Sequence, residues 1–80
     1  MKSQINALKM VEALPTFKYW IVTAKDEGYD TREIVEMLKK GLKSKAEHWD
    51  KAGNQQAAKE KRDYLEVLEK QGLDKYLEFI

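Results

Sequence analysis

His48 is the one histidine in the chain, and its neighbours decide whether it could do chemistry. A metal site needs two or more nitrogen, sulfur or carboxylate ligands at defined spacing. Glu47 and Asp50 flank His48, but helix positions one or two apart do not face each other. Nucleophilic catalysis needs a hydroxyl or thiol held against such a base. Ser44, four residues back, is the nearby candidate, and no orienting acid or oxyanion hole accompanies it. Glu33 and Glu36 are paired at i,i+3, as are Glu66 and Glu69. Carboxylates buried together do acid–base work, but among so many lysines these read as solvated faces. Neither a Walker loop nor GxGxxG occurs. These patterns point to no catalytic residue, no metal and no cofactor, hence to a protein that is not an enzyme.

Two other sets of residues suit recognition. Lys39, Lys40, Lys43 and Lys45, with Arg62 further on, form one basic surface if the chain folds back after residue 52. Such a surface would meet phosphate or an acidic protein. Its plainer reading is a solvated helical face diluted by Glu47, Asp50 and Glu60. The second set is aromatic. Tyr19, Tyr29, Tyr76 and Phe79 fall near expected helix ends, where a small core leaves rings partly exposed. Exposed aromatic rings bring large contact area at low entropic cost and favour interfaces. Packing at the core boundary is the competing account.

Composition bounds both readings. Eighty residues make one domain, 1–80, and so short a chain buries only about 60–65% of its unfolded surface. There is no cysteine to staple it. Fifteen basic and fourteen acidic residues leave a net charge of +1, which weakens the case for a nucleic-acid binder. Lys9 and Glu12 interrupt the apolar run of the N-terminal segment, against a signal peptide. No stretch approaches the roughly 20 apolar residues of a membrane span. The expectation is a cytoplasmic chain that does not engage membranes.

The elements follow from periodicity and punctuation. Ser3 is placed to cap a first helix carrying Ile5, Leu8, Val11 and Leu14, which Pro15 ends. Thr16 is placed to cap a second. Phe17, Trp20, Ile21 and Ala24 recur at helical spacing, although Phe17, Tyr19 and Ile21 also alternate as in a strand. Helix is preferred over 17–24, because a lone strand leaves its backbone unpaired. Asp30, with Glu33 three residues on, forms a capping box. Ile34, Val35, Leu38, Leu42, Ala46, Trp49 and Ala52 then continue in steps of three and four. This long helix runs through Gly41, at a cost of about 1 kcal/mol against alanine. Gly53 ends it and Asn54 caps the next, which carries Ala57, Ala58, Tyr64, Leu65 and Leu68. Gly72 closes that helix with Leu73 as a Schellman contact. Leu73, Tyr76, Leu77 and Ile80 share one side of a last short helix. The fold class is all-α: a small antiparallel bundle of four helices or five, with a long hairpin turning at Gly53–Asn54.

Residues 31–53 also fit a helix-turn-helix loosely, with Leu42, Lys43 and Ser44 as the turn. Glu47 and Asp50 would then face phosphate, and the apolar rhythm continues through the supposed turn. Leu42, Ala46, Trp49, Gly53 and Ala58 resemble a single tetratricopeptide unit over about a quarter of the chain. Arg62 stands where that family prefers an aromatic, no proline closes the unit and no second repeat follows. The resemblance implies a close helical hairpin and carries over no peptide groove. The expected function is a small non-catalytic protein-binding modulator: an adaptor, inhibitor or phage-type regulator. The alternatives are a nucleic-acid binder and an oligomeric binder of a small anionic ligand. The expected partner is a protein, with nucleic acid second. A second copy, in a homodimer or higher oligomer, would also use the aromatics.

Overall fold

The computed structural model describes residues 6–80. Among them are five helices and no strand: α1 (Ala7–Ala13), α2 (Lys18–Asp26), α3 (Thr31–Lys51), α4 (Gln55–Gln71) and α5 (Leu73–Phe79). Residues 18–24 are therefore helical, and Phe17 stands at their cap position. Helices α3 and α4 form the long antiparallel hairpin, and α1 packs against α3 and α2 while α5 folds back on α4. The result is a thin slab with extents of 42 × 28 × 16 Å. It is little thicker than two helix layers, whose axes stand about 8–10 Å apart.

Most helix ends follow their local chemistry. The hairpin turn is a complete Schellman motif: Asn54 N–H donates to the Trp49 carbonyl (2.9 Å) and Gly53 N–H to that of Asp50 (3.1 Å). Asn54 Oδ1 then accepts from Ala57 N–H and starts α4. The α2 end repeats the motif, with Tyr29 N–H donating to the Ala24 carbonyl and Gly28 N–H to that of Lys25. Asp30 caps α3 by accepting from Arg32 N–H.

Three ends differ from expectation. Ser3 lies outside the described residues; the cap of α1 is Asn6, whose Oδ1 accepts from Leu8 N–H. Thr16 does not cap α2. Phe17 N–H closes the Pro15–Thr16 turn onto the Leu14 carbonyl (3.0 Å), so the helix begins one residue late, with Phe17 at its cap position and no side-chain capping bond. Gly72 forms no Schellman motif. At φ 90° and ψ 176° it lies in a region open essentially to glycine, and it ends α4 and opens α5 in a single residue.

Gly41 does not break α3. It is buried against the end of α1, where a Cβ would stand 3.0 Å from the Glu12 carbonyl carbon and nearer still to its oxygen. The helix-turn-helix geometry is absent: residues 42–44 continue α3 without a turn.

The core joins Ala7, Val11, Ile21, Ala24, Ile34, Leu38, Leu42, Leu68, Leu73 and Tyr76. Fully burying each large member is worth about 1.5–3 kcal/mol. Nearest the hairpin turn the buried positions are alanines, Ala46 and Ala58, which let α3 and α4 approach closely. Tyr76, expected at the surface, is 0% exposed. Its hydroxyl donates to the Pro15 carbonyl (2.7 Å), so the last helix is pinned to the α1–α2 turn 61 residues away.

Two variants test these contacts. Gly41→Ala should lower stability by about 2 kcal/mol or more, although alanine is the better helix former. A thermal midpoint that holds or rises would show that α1 does not lie against residue 41. Tyr76→Phe should cost about 1–1.5 kcal/mol in urea unfolding, because it orphans the Pro15 carbonyl. Burial, with a smaller contribution from Tyr64, raises the Tyr76 phenol above its ordinary value of 10.0. The fold thus favours the protonated phenol. The stability this adds is complete below about pH 10 and falls above it, by up to about 1.4 kcal/mol per pH unit. Tyr76→Phe should flatten that alkaline decline; an unchanged slope would place the phenol in solvent.

Candidate partner-binding surface

The break at Pro15 leaves large apolar side chains exposed on both sides of the turn. Once α1 ends, Leu14 and Phe17 lie on either side of the turn and both stay exposed. An aromatic at a helix cap forgoes about 1 kcal/mol that Ser, Thr, Asp or Asn would supply. Leu14, Pro15 and Phe17 line a cleft of about 230 Å³ with half-buried Trp49 from α3. Lys45, one turn before Trp49, and Lys61 from α4 complete its wall.

Aromatic contacts extend the cleft in two directions. Phe17 meets Tyr19 at a centroid separation of 6.0 Å, and Tyr19 meets Trp20 edge-on at 5.2 Å. Helical geometry turns Ile21 and Ala24 inward on α2 and leaves Tyr19 (61% exposed) and Val22 outside. On the other side, Lys61 Nζ stands 5.5 Å from the Tyr64 ring centre. Tyr64 in turn packs edge-on against Phe79 at 5.4 Å, and Phe79 is 54% exposed. Lys61 thus bridges the cleft and the α4–α5 aromatics.

The four aromatics singled out in the sequence divide into two pairs. Tyr19 and Phe79 are at the surface and belong to this patch. Tyr76 is the buried pin of α5, which removes it from any partner surface. Tyr29 is half-buried, and its hydroxyl donates to Asn6 Oδ1 (3.0 Å), tying the α2–α3 turn to the start of α1. Leu14, Phe17 and Trp49 were not among the sequence candidates for this surface. The available signal was Phe17 directly after a Pro-Thr break, at a position where no capping side chain follows.

The basic residues are also divided. Lys43 and Arg62 share the groove between α3 and α4, and Arg62 is paired with Asp50. Lys45 lies on the other flank of α3, toward α1, and Lys40 pairs with Glu12 at 3.5 Å. Lys39 is half-buried on α3. Lys39, Lys40, Lys43, Lys45 and Arg62 therefore do not form one face. Lys45 makes no ion pair among the described residues.

His48 is exposed and meets Trp49 edge-on at 5.0 Å. Glu33 and Glu36 line a shallow groove with Leu8 and Met37, and Glu66 pairs with Lys70 on the surface of α4. Among the described residues no group of three or more His, Asp or Glu side chains is placed to hold a metal ion. No described helix is long and apolar enough to cross a membrane. No protein-family model matches the chain, and no curated protein or solved structure is significantly similar to it.

Phe17→Ser loses a partly buried ring but gains the capping side chain that α2 lacks. Tyr19 is largely exposed, so Phe17→Ser with Tyr19→Ser should change unfolding free energy by less than about 1 kcal/mol. A loss of several kcal/mol in urea unfolding would make these rings structural.

Proposed function

We propose that the protein is a small non-catalytic binding modulator, acting in the cytoplasm on a protein partner through the cleft of Leu14, Phe17 and Trp49 and the rings beside it. The observation that carries this reading is the concentration of exposed apolar side chains where α1 turns into α2. Leu14, Phe17, Tyr19 and Val22 are all exposed within nine residues of sequence. Scattered exposed apolar residues are ordinary, whereas a contiguous aromatic patch with a cleft marks an interaction site. The rim is polar and cationic, as expected where an apolar centre must be desolvated while the edge stays wet. Apolar walls with lysines beside them suit stoichiometric binding of a partner.

A photoreactive phenylalanine at position 19 tests the reading in living cells, with position 56 on the exposed start of α4 as the control. The expected result is a discrete protein adduct at 19 that is absent at 56 and survives nuclease. Equal adducts at both positions, or material that nuclease removes, would overturn it.

A further inference from the structure

We infer that the partner presents an acidic peptide segment with an apolar anchor, the anchor filling the Leu14–Phe17–Trp49 cleft and the acids lying along the adjoining groove between α1 and α3. This rests on the protein-binding reading above and adds the chemistry of the partner. The cleft continues into a second groove of about 320 Å³, with Ala13 and Lys45 common to both. Lys9, Lys40 and Ser44 line this second groove, with Glu12 as its one acid. Across the two, four lysines against one glutamate leave a formal +3 on a chain whose total is +1. The opposite sign gathers elsewhere, where Asp30, Glu33 and Glu36 stand with Arg32. A near-neutral total therefore conceals a basic channel, and such a channel attracts and orients an anionic partner.

The apolar end of the channel selects among anions. Leu14, Pro15 and Phe17 offer no polar side chain along their walls, where the polar groups are Thr16, the Trp49 Nε1–H and the two lysines. A nucleic-acid base seated there would give up water from its polar edges with few replacements. An aliphatic or aromatic side chain has no such loss. The geometry also sets a spacing. Trp49, Lys45 and Gly41 follow one another at successive turns of α3, about 12 Å from first to last. An extended segment covers that distance in about four residues. The segment is thus an apolar residue with carboxylates beside it and out to about four positions away.

Selection from a random dodecapeptide library on the intact protein tests this. Enriched peptides should pair Leu, Phe or Trp with Asp or Glu inside that spacing. Their affinity, read by fluorescence anisotropy, should weaken about tenfold or more in Lys9→Glu with Lys45→Glu. Lys59→Glu with Lys75→Glu makes the same change of charge outside the channel and should stay within about twofold; circular dichroism confirms that both variants fold. Apolar peptides without acidic bias that still weaken in Phe17→Ser would overturn the partner class and leave the surface reading intact. Peptides indifferent to Phe17→Ser, or no enrichment, would overturn both. An oligouridine probe binding more tightly than every selected peptide, and failing in the same lysine variant, would make the channel a nucleic-acid site and refute the proposal. Phosphatidylglycerol vesicles binding in that manner would refute it equally, in favour of a membrane surface.

Discussion

Helix α1 rests on α3 backbone against backbone, because residue 41 has no side chain to hold the Glu12 carbonyl away. Much of the molecule's surface depends on that contact. It fixes where α1 ends, and hence where the Pro15 turn stands over Trp49. It also forms the floor of the lysine-lined groove, since Gly41 and Glu12 both line it while the Glu12 side chain reaches Lys40. A larger residue at 41 would push α1 outward and open the core at Val11 and at Leu38, one turn earlier on α3. The helix-propensity cost of glycine, about 1 kcal/mol, is small beside the burial that the close approach permits.

The second constraint is thinness. A slab 16 Å deep has few fully enclosed positions, and the chain offers more large apolar side chains than those positions hold. Tyr76 takes one of them because its hydroxyl finds an acceptor. The Pro15 carbonyl follows the end of α1, where the last carbonyls have no partner within the helix. Buried tyrosine is tolerable only with such a bond. Of the rings left over, Phe17, Tyr19 and Phe79 stay at the surface.

Charge is distributed with the same asymmetry. Most of the ion pairs are exposed, including the Arg62–Asp50 pair across the hairpin and the i,i+4 pairs on α4, while Glu12 and Lys61 are half-buried in their pairs with Lys40 and Glu60. Pairs of this kind contribute little to stability. The arrangement of charge is therefore weakly constrained by folding, and a basic channel beside an acidic flank adds little cost to the fold. The Asp50 contact holds Arg62 toward the α3–α4 hairpin, away from the channel that Lys45 borders.

The sequence alone determined the helices and the hairpin. The steps from Ile34 to Trp49 define α3, and Gly53 with Asn54 places the turn, because hydrogen bonds within a few residues settle such features. The α2 assignment followed from elimination, since only residues 75–80 offered a strand to pair with Ile21 and Val22 and a two-stranded ribbon is marginal. The periodicity of α5 even put Tyr76 on the inner face with Leu73, although its ring was expected outside. What the tertiary structure decided was which faces meet. It buried Tyr76 by bringing a carbonyl 61 residues distant to its hydroxyl, turned Gly41 from a weak point into a contact, and separated Lys45 from Lys43 across the width of one helix. It also assembled Leu14, Phe17, Trp49 and Lys61 from three regions of the chain. Periodicity assigns a residue to a side of its own helix, but a cleft is made by the distance between helices, which depends on side chains far apart in sequence.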